Sequence, residues 1–205
     1  MMRRAFANSL CLLVLACMLC VASSTEAALY VLQANLDVAQ EGRTQPPNTS
    51  VPPPPSGVAI MVYDDVTNRF DLHWSAVGMI LSDNTSPIFM RDSHIHSAPV
   101  GTNGGVIHPF GSGAPGGTGP WVETAPGFLE LHLTNKLFTN AEQVNATTGR
   151  TREQELLQNL TYLNMHSNRN TGGEIRGQLI VVPEPATIGM LGLGALALLA
   201  RRRNA

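Results

Sequence analysis

The sequence predicts an all-β domain with one short helix, and three observations carry that expectation. Apolar and polar residues alternate in short runs, clusters of turn formers separate those runs, and a single stretch has helical spacing. Leu29 to Val38 opens the pattern, with Tyr30, Leu32, Ala34, Leu36 and Val38 on one face. A proline-rich loop follows, from Gln45 through Pro52-Pro53-Pro54-Pro55, and such a composition favours an extended connection.

Val58 to Tyr63 and Arg69 to Val77 flank Asp64-Asp65-Val66-Thr67-Asn68, a hairpin of turn formers between two strands. In the second strand Phe70, Leu72, Trp74 and Ala76 alternate with Asp71, His73, Ser75 and Val77, so one face is core. Ile88 to His96, Val106 to Phe110 and Phe128 to Leu133 give three more strands. Gly111 to Gly119 is glycine-rich but lacks the lysine and following helix of a phosphate cradle, and it reads as turns. Thr151-Arg152-Glu153-Gln154 fits a capping box, with Leu156, Leu157 and Leu160 at helical spacing behind it. Thr161 to His166 and, after Gly172-Gly173, Ile175 to Val182 complete the strands.

The ends of the chain differ from the middle. Met1-Met2-Arg3-Arg4, an apolar run from Leu10 to Ala22 and Thr25-Glu26-Ala27 have the layout of a secretory signal over residues 1–27. A retained anchor and a lipid attachment at Cys17 are the other readings of that segment. Cys11, Cys17 and Cys20 all lie within it, so the domain carries no disulfide, zinc–thiolate site or cysteine nucleophile. Residues 28–182 form the domain. It holds 8 basic and 13 acidic residues, a net charge of −5, with Lys136 as its one lysine. That balance leaves no footprint for nucleic acid.

At the C-terminus, Pro183-Glu184-Pro185 precedes an apolar stretch from Ile188 to Ala200 and then Arg201-Arg202-Arg203. Ala186 to Ala200 would make a helix of about 22 Å, short of a hydrocarbon core of about 30 Å. The arginines stay cytoplasmic by the positive-inside rule. Residues 183–205 resemble a PEP-CTERM sorting signal. The resemblance implies an exosortase-type processing enzyme as a partner and passing attachment to the inner membrane. It implies delivery to the cell surface or extracellular matrix of a bacterium with an outer envelope. A plain membrane anchor is the alternative.

Three segments point to a family. His94-Ile95-His96 with Gly101-Thr102-Asn103-Gly104-Gly105-Val106, then Tyr162-Leu163-Asn164-Met165-His166, then Gly173-Glu174-Ile175-Arg176-Gly177-Gln178-Leu179 occur in that order. They resemble the motifs of the CHRD domain, and the likeness extends from Leu29 to Leu179. The segment from Asn135 to Arg150 is longer than the family pattern. The resemblance implies an immunoglobulin-like β-sandwich or barrel, similar to superoxide dismutase, without a settled activity.

Alternation gives these motifs a geometry. His94 and His96 share one face, as do Tyr162, Asn164 and His166, and as do Glu174, Arg176 and Gln178. Were the strands neighbours, these groups would converge. His94, His96 and His166 would then be candidate ligands for copper or zinc. The alternative is a structural polar cluster of Tyr162, Asn164, Glu174, Arg176 and Gln178 that sets strand register, with Arg176 paired to Glu174 or a neighbour and no cofactor. His73 and His132 are expected on solvent-facing strand positions, and His108, before Pro109, in a loop. Sequons begin at Asn48, Asn84, Asn145 and Asn159, and Asp64-Asp65 and Asp83-Asn84 read as turns rather than calcium loops. No Gly-x-Ser-x-Gly or Ser-His-Asp order is present. The expected role is a non-catalytic surface or matrix module that binds an extracellular protein or polysaccharide. A secreted metal-binding or redox protein is the alternative.

Overall fold

A computed structural model describes residues 28–41, 54–83, 85–112 and 119–183. The signal segment, the apolar tail with Glu184, Pro185 and Arg201 to Arg203, and the sequons at Asn48 and Asn84 lie outside these residues. Among the described residues, no helix is long and apolar enough to cross a membrane.

Ten strands and one helix make up the described fold. They are β1 (Leu29–Asp37), β2 (Ser56–Asp64), β3 (Arg69–Val77), β4 (Met90–Ser97), β5 (Gly105–Ser112), β6 (Trp121–Ala125), β7 (Phe128–Leu137), α1 (Arg152–Leu157), β8 (Thr161–Ser167), β9 (Ile175–Gln178) and β10 (Ile180–Val182). The strands join antiparallel in one sheet, in the order β5-β4-β8-β9-β1-β2-β3-β7-β6, and β10 also pairs with β1. The sheet curls into a half-barrel. The curl carries Phe110 of β5 over β3, where its ring meets Phe70 and Trp74 edge-on at 6.4 and 6.1 Å. Trp74, Tyr63, Leu72, Leu129 and Leu131 fill the concave side.

Local chemistry explains the elements that sequence reading places well. In the β2–β3 hairpin the Asp64 carboxylate accepts the amides of Val66 and Thr67, and Asn68 takes a positive φ. Thr151 and Gln154 close the capping box of α1 reciprocally. Leu160 is not on that helix, because Asn159 at φ 61° ends it.

Three departures have identifiable causes. β6 was not expected. It forms because Pro126-Gly127, with Gly127 at φ 78°, folds Ala125 back onto Phe128. β5 runs through Pro109 because it sits at the end of the strand order, where a missing N–H costs no ladder bond on the outer side. His108 is therefore a strand residue and not a loop residue: it packs against Phe70, Phe110 and Phe138, and burial pushes its pKa down to about 4, with Arg152 acting in the same direction. The last strand is two pieces, since at Leu179 the chain leaves β8 and continues along β1.

The long segment after β7 consists of turns, closed by a bridge between Val144 and Thr151. The buried carboxylate of Glu155 gathers it, accepting from Asn145 at 2.8 Å, from Thr148 at 2.7 Å and from Ser97. Asn145 and Asn159, the two described sequon asparagines, are thus engaged internally: the Asn159 side-chain oxygen accepts the Val181 amide at 2.7 Å.

The outer face of the central strands is unusual for a one-sided antiparallel sheet, which normally turns polar residues to water. β2 is apolar on both faces. Ala59, Met61 and Tyr63 point inward, while Val58 and Ile60 are 55% and 54% exposed. Gln33 of β1 lies between Ile60 and Ile180 in register, and Ile180 is 41% exposed.

Candidate functional site

The β4–β8 ladder sets the site. Register pairs His94 with Asn164, His96 with Tyr162 and Asp92 with His166. Alternation sends Ser93, Ile95, Leu163 and Met165 to one side, all buried, and sends Asp92, His94, His96, Tyr162, Asn164 and His166 to the other. The second face is covered in turn by the loops around residues 98–104 and 170–174, so nearly all of β8 and β9 is buried.

His94, His96 and His166 converge: one ring nitrogen from each lies within 4.8 Å of the others. The remaining nitrogens are fixed by acceptors. His96 Nδ1 lies 2.9 Å from the Gly104 carbonyl, and His166 Nδ1 lies 2.8 Å from that of Thr171. His94 Nε2 lies 3.0 Å from the Asp92 carboxylate. Carbonyls and carboxylates only accept, so each of these nitrogens carries its proton. The inward nitrogens are His96 Nε2, His166 Nε2 and His94 Nδ1, and the last two are 3.2 Å apart. Burial pushes His96 down to about 4, and it lowers His166 as well, which keeps both rings neutral near pH 7.

The polar residues divide into two groups. Tyr162 stacks on His96 at 4.9 Å with 9° between planes, and the Arg176 guanidinium carbon lies over the Tyr162 ring, 3.4 Å from its centroid. Arg176 donates to the carbonyls of Thr102 at 2.7 Å and Pro99 at 3.1 Å, and Gln178 donates to those of Ala98 and Asn159. This group braces the loop that presents Gly104 to His96. Gly104 is needed there, because a Cβ would stand 1.8 Å from the Ser97 carbonyl oxygen. Asn164 reaches the Gly172 carbonyl at 3.5 Å.

Glu174 does not join Arg176. Gly173 at φ 142° turns the chain before β9, and the Glu174 carboxylate accepts from Ser167 at 2.7 Å and from Asn170. The carboxylate at the histidines is instead Asp92. Its signal was present in the sequence, since Asp92-x-His94-x-His96 shares one strand face. The Gly104 and Thr171 carbonyls had no such signal, because loops deliver them. His73 and His132 lie apart from this site, cross-strand partners on β3 and β7, exposed and stacked at 4.1 Å.

Comparison with known proteins agrees with the motifs. The family described as CHRD domain matches residues 32–179, and the PEP-CTERM protein-sorting motif matches residues 181–203. No curated protein and no solved structure matches the chain. The sorting motif marks an extracellular or cell-surface protein handled by an exosortase. With the His94-Ile95-His96, Tyr162–His166 and Gly173–Leu179 segments built into one continuous site inside the matched region, the chain belongs to the CHRD domain family.

Proposed function

We propose that the protein is a non-catalytic module of the cell surface or extracellular matrix, and that its domain binds an extracellular protein or polysaccharide through the outer face of β1, β2 and β10. In this reading an exosortase acts on Pro183-Glu184-Pro185, the apolar stretch and Arg201 to Arg203. The tail holds the chain only transiently at the inner membrane of a bacterium with an outer envelope. The observation that carries the reading is the two-faced apolar character of β2, with Val58 and Ile60 more than half exposed. A strand that is apolar on both sides belongs to a sheet covered on both sides, and exposed apolar surface rimmed by polar residues is a common docking surface.

The test compares binding of the labelled full chain, as cells process it, to intact cells with that of the Val58→Thr/Ile60→Thr variant. The bound fraction at limiting protein is expected to fall at least about fivefold in the variant, the loss of roughly 1 kcal/mol at an interface. Protease treatment of the cells separates a protein partner from a polysaccharide. Equal binding by the variant, or none by the wild type, overturns the reading.

A further inference from the structure

We propose that His94, His96 and His166 form a binding site for one copper(II) or zinc(II) ion, leaving one coordination position for an exogenous ligand. The two halves of the buried polar face differ in a way that a register-fixing cluster does not explain. In the Tyr162–Arg176–Gln178 half, the Arg176 and Gln178 donors reach carbonyl acceptors. In the histidine half, three ring nitrogens converge, and two of them, His94 Nδ1 and His166 Nε2, stand 3.2 Å apart. His96 Nε2 is buried without a hydrogen-bond partner, on a residue that is 8% exposed. A buried acceptor without a donor costs about 1–3 kcal/mol, so the unpartnered His96 Nε2, beside two further ring nitrogens, calls for a cation at their centre.

The distances suit a metal. Two metal–nitrogen bonds of about 2.05 Å at a tetrahedral angle place their nitrogens about 3.3 Å apart. His94 Nδ1 and His166 Nε2 stand 3.2 Å apart. The third nitrogen lies within 4.8 Å, so ring movement of roughly 1.5 Å completes the triad. The outer nitrogens hold the arrangement that metal-bound histidines normally show, with two hydrogen-bonded to backbone carbonyls and one to the Asp92 carboxylate. Three imidazoles without thiolate or further carboxylate ligands suit copper(II) and zinc(II) rather than calcium or magnesium. The positive charge of Arg176 acts against a cation at His96, but the negative charge of Glu41 acts on Arg176 itself. Its guanidinium lies over Tyr162, whose ring also stacks on His96, and it is engaged by the Thr102 and Pro99 carbonyls.

The test strips the full chain with a chelator and titrates copper(II) and zinc(II) separately, reading bound metal by elemental analysis and the copper form by electron paramagnetic resonance. One ion per chain and a spectrum split by three nitrogens are expected, and competition between the ions identifies the preferred one. His94→Ala and His166→Ala should each weaken binding at least about 100-fold, while His73→Ala/His132→Ala leaves it unchanged. Asp92→Asn, which removes the carboxylate charge beside His94 Nε2 and leaves the inward nitrogens in place, should weaken it about tenfold and shift the copper spectrum. The wild-type spectrum counts nitrogen ligands even where a variant folds poorly. No retained ion, metal retained equally by His94→Ala and His166→Ala, or loss in the His73/His132 variant would each overturn the site.

Discussion

The two ends of the sheet obey different rules. On β3 each inward residue, Phe70, Leu72, Trp74 and Ala76, is buried, while its neighbours Arg69, Asp71 and His73 meet solvent. On β8 and β9 both faces are buried, and the second face is polar: Tyr162, Asn164, Arg176 and Gln178 are each at most 7% exposed. The apolar end stabilises by area removed from water, which is tolerant of shape. The polar end depends on partners for the groups it buries, because an unmatched donor or charge costs more than its bond returns, and His96 Nε2 and Asn164 Oδ1 lack one. The difference teaches that the second end is built for the geometry of particular atoms. It is also where the histidines lie.

The sharpest way to break that comparison is at Arg176. Arg176→Met keeps volume but leaves the Pro99 and Thr102 carbonyls without their donor, and a loss of about 4 kcal/mol in denaturant unfolding is expected. At the apolar end Leu131, fully buried, should accept Leu131→Met for less than about 1.5 kcal/mol. Similar costs for the two substitutions would erase the distinction.

A smaller effect tests the one histidine buried among the apolar rings. The His108 pKa falls from an ordinary 6.5 to about 4, so the folded state favours the neutral ring. The unfolded chain takes up the proton first, and stability is full above pH 6.5 and declines as pH falls towards 4. The whole decline attributable to this residue is on the order of 3 kcal/mol. His108→Phe, which matches its Phe70, Phe110 and Phe138 surroundings, should flatten that part of the pH profile in denaturant titrations. An unchanged slope between pH 7 and pH 4 would contradict the assignment. The smallest effect is expected outside, where Ile60→Thr should change folding stability by no more than about 0.5 kcal/mol. A larger loss would mean that the outer face already packs against part of this chain.

The legible parts of the fold were those decided within a few residues. Asp64 to Asn68 makes its turn from its own carboxylate and a left-handed asparagine, and Thr151 with Gln154 caps α1 from its own side chains. Strand parity correctly put His94 with His96, and Tyr162 with His166. Parity failed at Glu174, because Gly173 rotates the chain before β9, and the expected loop at His108 is strand, because an edge strand admits Pro109.

By itself the sequence determined the all-β class, the hairpin, the helix cap, the order of the three motifs and the sorting tail, because composition, turn chemistry and strand period are local properties. Only the tertiary structure decided that β4 lies beside β8, that Asp92 rather than Glu174 supports the histidines, and that Arg176 braces a loop instead of pairing with an acid. Those outcomes depend on pairings some 70 residues apart along the chain, such as His94 with His166. They also depend on the Gly104 and Thr171 carbonyls brought in by loops. No local pattern encodes a backbone acceptor, since every residue carries one and only the packed fold selects which will be used.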